Sequence, residues 1–481
     1  MLRFTRTKIV ATLGPVSDST EGITSLVKAG ADVFRINMSH SPVDAARQVV
    51  ARIRSVSDAV AVLIDTRGPE LRTTDVDEPF ELKDGATVEL RSGQELSTPE
   101  VLFVKYDNFP GRLTRDCVVF VDDGLIELRV QKANDEVAVC FVERGGEITS
   151  RRGVNVPGVD VSPAELSEAD KAAIRLAAEV DAEFIAASFV QSAADVHRIR
   201  REVTEAGRPS VHIIAKIESR KAVDDVEAIL AASDGLMVAR GDLGVEIPPE
   251  EVPLVQKRLV KLCNAAAKPV IVATQMLESM VEHPVATRAE TSDVANAIID
   301  GADAIMLSGE TAKGKYPVEA VTTMVRISDF VEQHADLFQR KLWISGARST
   351  DDFISKAICR GSEDLSLDYI VALTTTGGTA RRIASYRPPA TLLACTPVAK
   401  MSRQLNLVYG VVPMVVESSE HYDDAVARSL TELVERGALM LENRIAIAFG
   451  VPMGQAGSTN FLGCDTVRVL IAGTRANRPV T

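Results

Sequence analysis

Apolar and polar positions along the chain follow two alternating patterns. Short apolar runs end in polar or charged residues, and the stretches between them repeat apolar residues at helical spacing. A continuous apolar run is typical of a strand buried on both faces, whereas the helical spacing is typical of an amphipathic helix. Eight such strands are predicted, at 8–15, 32–40, 61–72, 184–190, 211–218, 235–242, 268–275 and 304–311.

The stretches between these strands predict helices at 23–30, 43–57, 167–179, 193–205, 221–232, 250–266, 288–300 and 317–334. Alternation of strand and helix indicates a parallel sheet, and eight repeats favour a closed (β/α)8 TIM barrel. An open doubly wound sheet is the alternative. It would not bring the C-terminal ends of all eight strands to one mouth, so the barrel is the preferred interpretation.

The pattern changes between residues 73 and 151, where no amphipathic helix is evident. Short alternating runs such as ATVELRS, LIELRVQ and VAVCFVE are separated by Asp-Gly and Gly-Gly pairs. This pattern predicts a small inserted antiparallel β-domain, a β-barrel lid. It interrupts the chain between a strand and its helix, a position often taken by a mobile cap over a site.

A second strand–helix alternation begins beyond Trp343, after a linker read in ISGARSTDD. Strands are predicted in YIVALTTT, TLLACTP, GVVPMVVE, RIAIAFG and DTVRVLIAG, with helices near 353–364, 379–385 and 422–435. We therefore expect a separate C-terminal α/β domain. The predicted division is a barrel formed by 1–72 and 152–343, a lid at 73–151, and a regulatory α/β domain at 344–481.

Composition narrows the class of protein without naming a reaction. The 481 residues are 46% hydrophobic and 25% charged, which is ordinary for a globular protein, and the net charge of −13 gives no general attraction to nucleic acid or anionic membrane. The six cysteines form no CxxC pair, no run approaches eighteen apolar residues, and the N-terminus lacks a signal-peptide pattern. We expect a cytoplasmic protein with no nucleic-acid or membrane partner.

Charged residues at two predicted strand ends suggest chemistry. Lys216 and Glu218 are two apart in IIAKIE, so on an extended strand their side chains point the same way, and Arg240 and Asp242 repeat this spacing in VARGD. Two carboxylates and a lysine suit a divalent metal beside a phosphate. Structural ion pairs are the alternative for either run alone. Two adjacent buried runs favour the metal site, because buried charges are costly unless partnered.

A closed barrel would gather further polar residues at the same mouth. They are Asn37, Ser39, Asp65, Thr66, Ser188, Lys216, Glu218, Asp242, Thr274, Ser308 and Glu310. A second candidate site is the loop between a predicted strand and helix of the C-terminal domain. Its hydroxyls and free backbone N–H groups suit an anion, although a helix cap with a tight turn explains the same residues. The loop comprises Thr374, Thr375, Thr376, Gly377, Gly378 and Thr379.

Several long motifs resemble the pyruvate kinase family across nearly the whole chain. They include TKIVATLGP, RINMSH, DTRGPELRT, AKIES, ARGDLGVEIP, KPVIVATQMLESM and TRAETSDVANAIIDGADAIMLSGETAKGKYP, in the family's order and spacing. The resemblance implies phosphoryl transfer between phosphoenolpyruvate and ADP, giving pyruvate and ATP, with Mg²⁺ (or Mn²⁺) and K⁺ as cofactors. It also suggests a homotetramer and leaves room for a phosphorylated effector.

The resemblance further implies roles for individual positions. Lys216 and Arg35 match residues on the transferred phosphoryl group, and Thr274 matches a threonine on the substrate carboxylate, near the site of enolate protonation. Gly241 and Asp242 match the backbone N–H groups on that carboxylate. The implied metal and nucleotide ligands are Glu218 and Asp242 for Mg²⁺, Asn37, Ser39, Asp65 and Thr66 for K⁺, and Arg72, His40 and Arg152 for the nucleotide.

Departures from the family's pattern refine these expectations. An acidic residue at Glu70 accompanies K⁺ dependence in the family, so K⁺ activation is predicted. Arg67 and Arg152 stand where the family usually has lysines. In the loop 374–379, Thr375 and Gly378 replace a lysine and an arginine, so fructose 1,6-bisphosphate activation is not expected, whereas a smaller phosphorylated effector remains open.

Two other functions fit part of the pattern. A metal-dependent aldolase or lyase acting on a pyruvate-type acid would use the same carboxylate pair, but it would need neither Arg72 nor the inserted lid. A degenerate kinase kept as an effector-binding regulator would be expected to lose Lys216, Glu218, Asp242 or Thr274, and all four are present.

Overall fold

The first part of the barrel alternates strands and helices as the sequence predicts. The computed structural model describes residues 5–69, 71–159, 165–335, 349–417, 421–451 and 459–476, except for the side chains of 474–476. The first elements are β1 (Lys8–Thr12), α1 (Thr20–Ala29), β2 (Val33–Asn37), α2 (Val43–Val56) and β3 (Ala61–Asp65). Helix α1 begins after Ser19, which accepts a bond from Gly22 N, and ends at Gly30 in the left-handed conformation (φ 117°).

Between β3 and the helix α3 (Glu168–Glu179), the described residues form eight short strands, seven of them within the predicted insertion, and the sequence predicted four of them. They are β4 (Phe80–Leu82), β5 (Thr87–Ser92), β6 (Val101–Val104), β7 (Val118–Val121), β8 (Ile126–Ala133), β9 (Ala138–Arg144), β10 (Gly146–Ile148) and β11 (Val154–Asn155). Six of them form one sheet in the order β11-β7-β8-β9-β5-β6, and β10 pairs with β4. The prediction of a purely antiparallel domain is wrong in one respect, because β5 and β6 run parallel.

The chain that enters the insertion joins the two edges of the six-stranded sheet. Val154 N donates to Leu71 O at 2.9 Å and Thr73 N donates to Arg152 O at 2.8 Å, so residues 71–73 pair with the β11 edge. Lys105 N donates to Arg72 O at 3.1 Å, next to the β6 edge. The sheet therefore closes around its own apolar cluster, as the predicted small barrel does.

The second part of the barrel restores the alternation. Its elements are α3 (Glu168–Glu179), β12 (Phe184–Ala187), α4 (Ala193–Glu205), β13 (His212–Ile217), α5 (Arg220–Asp224), α6 (Val226–Ala232), β14 (Gly235–Ala239), α7 (Arg240–Glu246), α8 (Val252–Ala266), β15 (Val270–Ala273), α9 (Arg288–Asp300), β16 (Ala304–Leu307), α10 (Gly309–Ala312) and α11 (Pro317–His334). Most predicted strands extended too far at their C-terminal ends, where the chain turns into loops or short helices.

Eight parallel strands close into a barrel in the order β1-β16-β15-β14-β13-β12-β3-β2. Leu63 of β3 lies opposite Phe184 of β12, so these strands pair directly across the insertion, and Lys8 opposite Ala304 completes the ring. The closed barrel is confirmed and the open sheet is excluded. Alternation along each strand sends one set of side chains inward and the other toward the helices, for example Val10 inward and Ile9 outward.

The C-terminal part forms a five-stranded sheet in the order β19-β18-β17-β20-β21. Its elements are α12 (Thr350–Asp364), β17 (Tyr369–Leu373), α13 (Gly378–Ala384), β18 (Thr391–Thr396), α14 (Ala399–Gln404), β19 (Val411–Val415), α15 (Tyr422–Glu435), β20 (Arg444–Gly450), β21 (Thr459–Thr466) and α16 (Val467–Ala476). Most of the predicted linker, with Trp343, lies outside the described residues.

One strand prediction in this domain is wrong. The segment DTVRVLIAG was expected to be a strand, but the last strand ends at Thr466 and α16 occupies the remainder. Val467, Leu470 and Ile471 have helical spacing and pack on the apolar cluster beside β20. The β-branched residues suggested a strand, whereas the burial of this helical face determined the outcome.

The C-terminal part contacts the N-terminal end of the barrel. Leu407 joins the apolar cluster inside the barrel and so closes that end. Around it, Arg403 Nε is 2.5 Å from Glu183 Oε1 and Lys400 Nζ is 2.9 Å from Asp181 Oδ1. The opposite, C-terminal mouth faces the inserted barrel. Within the described part of the chain, no helix is long and apolar enough to cross a membrane.

Candidate active site

Lys216, near the end of β13, is surrounded by polar groups from three strand ends. Its Nζ lies 2.8 Å from Glu218 Oε1 and 3.5 Å from Asp65 Oδ1, and it donates to Ser188 Oγ at 2.7 Å. Only 9% of Lys216 is exposed, and Glu218 and Asp65 are each 1% exposed. A cation this deeply buried would be costly without these partners.

Arg35 joins the same cluster from β2. Its Nε is 2.6 Å from Asp65 Oδ2, and Nη1 donates to Thr12 Oγ1 at 3.0 Å. Asp65 thus has Arg35 on one oxygen and Lys216 near the other. Two cationic side chains from non-adjacent strands therefore meet at one carboxylate. They make this side of the barrel mouth positively charged.

The cluster shifts the pKa values of Asp65 and Lys216 in directions that keep both groups charged. Burial alone would raise the pKa of Asp65, but the charges of Lys216 and Arg35 outweigh it and hold the pKa below its ordinary value. Burial alone would lower the pKa of Lys216, yet the charges of Asp65 and Glu218 raise it above the usual range. The ammonium of Lys216 therefore stays protonated at neutral pH.

Glu218 behaves differently from Asp65. Burial, reinforced by the charge of Asp242, raises the pKa of Glu218 to about 7, although Lys216 acts in the opposite direction. The second oxygen of Glu218 accepts a bond from Phe189 N at 2.5 Å. Two acidic groups that repel one another in a buried site indicate where an additional positive charge would be stabilised.

Asp242 lies on a helix, and this corrects the predicted strand spacing of Arg240 and Asp242. β14 ends at Ala239, and Arg240, Gly241 and Asp242 form the first turn of α7. Arg240 therefore does not share a strand face with Asp242. Its guanidinium instead lies 2.7 Å from Asp293 Oδ1. Gly241 N donates to Thr274 Oγ1 at 2.8 Å.

Thr274 follows the last residue of β15 in an uncommon conformation. Its φ is 67°, and that of Gln275 is 54°. The Thr274 hydroxyl donates to Ala273 O at 2.7 Å while it accepts from Gly241 N. Nothing in the sequence signals this turn, because neither residue is a glycine and the apolar run suggested that the strand continued to Gln275.

The carboxylates at the mouth fit a hydrated Mg²⁺ rather than a fully protein-ligated metal. Among the described residues, no group of three or more His, Cys, Asp or Glu side chains is arranged as a metal site. Glu218 and Asp242 provide two carboxylates, and Mg²⁺ is commonly held by one or two carboxylates with water and substrate phosphate oxygens. The raised pKa of Glu218 is the observation that supports this fit.

The predicted K⁺ residues lie on adjacent strand ends. Asn37 and Asp65 are partners in the β2–β3 register, and Ser39 N donates to Asn37 Oδ1 at 3.0 Å. Thr66 is buried, and its hydroxyl donates to Ala186 O and accepts from Ser188 N, both at 3.2 Å. These side chains offer only oxygen ligands, which K⁺ requires. Glu70, on which the K⁺ prediction depends, lies outside the described residues.

The predicted nucleotide residues lie where the inserted barrel joins the main one. Arg72 Nη1 donates to Arg151 O at 2.7 Å, and Arg152 Nη1 is 3.0 Å from Asp122 Oδ1. His40 is exposed in the turn after β2. The structure therefore brings Arg72 and Arg152 together at the hinge of the lid, with His40 on the barrel side.

Three functional contacts were absent from the sequence interpretation. Thr12 accepts from Arg35, Phe189 N donates to Glu218, and Asp123 at the tip of a lid hairpin lines a cleft that also reaches Glu218 and Asp242. Asp123 could have been suspected, because Asp122-Asp123-Gly124 is a turn sequence that directly follows an apolar run. The backbone donor of Phe189 carries no signal in the sequence.

Ser308 and Glu310 differ in the hydrogen bonds of their side chains. Glu310 accepts from Ser308 N at 2.7 Å and from Leu277 N at 3.0 Å, which is a backbone-capping arrangement. Ser308 Oγ is buried at the mouth and has no hydrogen-bond partner within the described part of the chain. An unpaired buried hydroxyl is unusual and suggests a place for water or substrate.

The loop 374–379 joins β17 to α13 as predicted. Gly377 has a φ of 75°, which favours glycine, and Arg381 Nη2 donates to Thr376 O at 3.0 Å. Thr379 shares a 2.6 Å hydrogen bond with Thr459 Oγ1. Gly377 is the N-cap of α13 and no side chain caps the helix, so a hydroxyl cap does not explain the threonines of this loop. The hydroxyls of Thr375 and Thr376 are exposed to solvent.

Comparisons with known proteins agree over most of the chain. The family model "Pyruvate kinase, barrel domain" matches residues 4–321, and "Pyruvate kinase, alpha/beta domain" matches 352–463. The pyruvate kinase of Staphylococcus saprophyticus is 43% identical over 469 residues, covering 95% of this chain and 80% of the relative; that of Staphylococcus aureus strain MRSA252 is 43% identical over 472 residues, with the same two coverages. The crystal structure of a pyruvate kinase from Cryptosporidium parvum has a TM-score of 0.90 at 33% identity, covering 96% of both chains.

Fold and site together define a phosphotransferase built on a (β/α)8 barrel. The buried lysine, its arginine neighbour and two carboxylates lie at the C-terminal ends of the strands, where enzymes of this fold place their chemistry. The chain belongs to the pyruvate kinase family, and its reaction is transfer of the phosphoryl group of phosphoenolpyruvate to ADP, giving pyruvate and ATP. The lyase and non-enzyme alternatives are set aside.

Proposed function

We propose that the cluster around Lys216 catalyses this reaction and that its members have different roles. Lys216 and Arg35 hold the phosphoryl group that is transferred. Gly241 N, Asp242 N and the Thr274 hydroxyl hold the substrate carboxylate. The single observation that carries the proposal is the buried contact of Lys216 with Glu218 and Ser188, which places one ammonium beside the carboxylate pair.

The phosphoryl group moves from the enol oxygen of phosphoenolpyruvate to a terminal oxygen of ADP. Negative charge spreads over its equatorial oxygens during this transfer, and fixed positive charge nearby lowers the barrier. Lys216 is suited to this task because its neighbours keep it protonated. Glu218 and Asp242 would hold Mg²⁺ or Mn²⁺, which when bound neutralises phosphate charge and orients the oxygens.

The enolate left by the transfer must gain a proton at its methylene carbon to become pyruvate. Thr274 is placed beside the carboxylate end of the site, but its hydroxyl already donates to Ala273 O, so it must rotate to reach substrate. Ser308 Oγ has no such competing bond in the described structure. Thr274 and Ser308 are therefore proposed to hold the water that delivers this proton.

A monovalent cation is proposed to complete the site. Asn37, Ser39, Asp65 and Thr66 would bind K⁺ through oxygen atoms. Because Asp65 also contacts Arg35 and lies near Lys216, a cation here would act on the phosphate through a shared carboxylate. The acidic Glu70 motivates the accompanying proposal that K⁺ is required for full activity.

ADP is proposed to enter between the barrel mouth and the inserted lid. Arg72, His40 and, less directly, Arg152 would contact it, since these residues surround the hinge. The lid at 73–151 would close over the nucleotide as a unit, with 1–72 and 152–343 as barrel and 344–481 as the regulatory domain. Arg152 must leave Asp122 to reach a phosphate.

An effector site and an assembly are also proposed. The exposed hydroxyls of Thr375 and Thr376, with Arg381 beside them, suit a small phosphorylated effector at 374–379. A homotetramer in the cytoplasm is proposed from the family resemblance. Soaking crystals with a nucleotide monophosphate or a sugar monophosphate tests the effector site; no density at this loop with either probe contradicts it.

A coupled assay tests the site as a whole. The protein is supplied with phosphoenolpyruvate, ADP, Mg²⁺ and K⁺, and pyruvate is followed through lactate dehydrogenase. Turnover that requires both metals and is abolished in E218Q and D242N supports the assigned ligands. Equal turnover in these variants and in the unchanged protein would show that the carboxylate pair is not the Mg²⁺ site.

A further inference from the structure

The turn at Thr274 has a strained backbone, so neighbouring groups must stabilise its conformation. Thr274 (φ 67°) and Gln275 (φ 54°) are consecutive residues in the left-handed region, and a β-branched threonine there is a genuine outlier. Residues in this region are disfavoured and persist only where their surroundings impose the conformation. The hydrogen bonds that the carbonyl groups of this turn accept identify the residue that imposes the conformation.

Arg240 supplies the constraint from the first position of α7. Its Nη2 donates to Thr274 O at 2.8 Å and to Gln275 O at 3.4 Å, the carbonyls of both left-handed residues. Nη1 is anchored by Asp293 Oδ1 at 2.7 Å. The planar guanidinium thus spans an acid on α9 and two successive carbonyls, a geometry that an ammonium cannot reproduce.

Arg240 also joins two parts of the proposed substrate site. The amide of the next residue, Gly241, donates to Thr274 Oγ1 at 2.8 Å, while the Arg240 side chain bonds the Thr274 carbonyl. Thr274 is therefore tied to the start of α7 through both its side chain and its backbone. A Cβ added at Gly241 would lie 3.4 Å from Thr274 Oγ1, so Gly241 and the Thr274 side chain are closely packed.

We propose that Arg240 is a positioning residue that holds the Thr274–Gln275 turn in its left-handed conformation and so aims the Thr274 hydroxyl at the substrate carboxylate and enolate. Arg240 is not among the residues proposed to bind substrate or metal. Asp293 serves as its anchor. This inference rests on the proposed role of Thr274, and it extends that role by naming the residues that fix its geometry.

Steady-state kinetics of R240M and its matched control measure the effect. Displacement of a reacting group by about 1 Å can cost roughly a hundredfold, so R240M is expected to lower kcat by about ten- to a hundredfold. KM for phosphoenolpyruvate is expected to change by less than about threefold, since phosphate and metal contacts remain. The control is R200M, because Arg200 likewise bonds a carboxylate and a carbonyl, Asp234 and Ala232, but at the other end of the barrel.

A second substitution separates positioning from a general structural role. Glycine adopts positive φ without the penalty of other residues. In Q275G the conformation of the turn should therefore depend less on the hydrogen bonds from Arg240. The double variant R240M/Q275G is expected to recover several-fold in kcat relative to R240M. Simply additive losses, or no difference in kcat between R240M and R200M, would overturn the inference. A crystal structure of R240M in which Thr274 keeps a φ near 67° would overturn it as well.

Two further variants keep the test decisive. If R240M does not fold, R240K carries the same comparison, because its ammonium retains the charge but not the fork; wild-type kcat in R240K would contradict the proposed geometry. T274A is measured in parallel. Unimpaired T274A would remove the role of Thr274 and the inference with it, whereas impaired T274A with normal R240M would contradict the inference about Arg240 alone.

Discussion

Lys216 Nζ and Asp65 Oδ1 are 3.5 Å apart although their strands, β13 and β3, are not neighbours in the barrel. β12 lies between them, and the hydroxyl of Ser188 just beyond it bridges the gap: it accepts from Lys216 at 2.7 Å and lies 3.2 Å from Asp65 Oδ1. The lysine proposed to bind the phosphoryl group and the proposed K⁺ ligand are therefore parts of one buried network. A substitution of Lys216 should therefore affect Asp65, and a substitution of Asp65 should affect Lys216.

Replacing Lys216 by methionine should separate catalysis from binding. The loss of a fixed charge that acts mainly in the transition state is expected to lower kcat by roughly 10²- to 10³-fold or more. Binding of phosphoenolpyruvate should change much less, because Arg35 and the metal site remain. Stopped-flow or equilibrium binding, alongside the coupled assay, checks both quantities. K315M is the control, since Lys315 pairs with Glu282 on the surface; an equal loss in both variants would refute a specific role.

Replacement of K⁺ by Na⁺ at constant ionic strength should lower activity greatly, because Na⁺ is too small for the proposed K⁺ site formed by oxygens of Asn37, Ser39, Asp65 and Thr66. E70K is expected to reduce this difference by supplying a positive charge in place of the cation. The measurement is the ratio of rates in K⁺ and Na⁺ for both proteins. Equal rates of the unchanged protein in the two salts would reject the predicted K⁺ dependence, and an unchanged ratio in E70K would reject the role of Glu70.

The barrel could be predicted because each of its strands carries its own signal. Runs such as IVAT and VLID are apolar throughout, and parallel strands buried on both faces require such runs. The ends of the strands were less predictable. In GLMVARGD the strand stops at Ala239 and α7 begins at Arg240, whose side chain bonds Asp293 and the Thr274 carbonyl.

The candidate site was predictable as a set of residues but not as a geometry. Spacing placed Lys216 and Glu218 on one side of a strand, and the family resemblance suggested their roles. Neither source of information could reveal the left-handed turn at Thr274, because its conformation is imposed by Arg240, a residue far away in sequence. Tertiary contacts of this kind leave no local pattern. The helix α16 was missed for a different reason: its β-branched residues suggested a strand, although Val467, Leu470 and Ile471 have helical spacing.

Thr274 and Ser308 should affect the proton step more than phosphoryl transfer. Exchange of the methyl hydrogens of pyruvate with deuterated water, followed by NMR, isolates that step. T274A and S308A are each expected to slow exchange by roughly tenfold or more, within the range of general acid–base contributions. S308A should fold normally, because the hydroxyl it removes has no partner among the described residues. T322A is the control, with an exposed hydroxyl on α11; unchanged exchange in both site variants would contradict the proposed proton path.

His212, the first residue of β13, should make stability depend on pH. Burial lowers its pKa from 6.5 to about 4, with the charges of Arg381, Arg200 and Lys400 acting in the same direction and Asp234 opposing them. In the unfolded chain the imidazole binds a proton near pH 6.5, whereas in the folded protein it does so only near pH 4. The unfolded state therefore binds more protons between these values, and stability should be lost as pH falls through that window.

The size of this effect follows from the pKa difference, since each unit corresponds to about 1.4 kcal/mol, giving roughly 3 kcal/mol when fully expressed. Thermal unfolding between pH 7.5 and 4 measures it. H212N, which cannot take up the proton, is expected to be less stable at pH 7.5 but to lose less on acidification. H283N is the control because His283 is exposed. If H212N and the unchanged protein lose stability in parallel down to pH 4, His212 is not the titrating group, and acidic residues alone account for the loss.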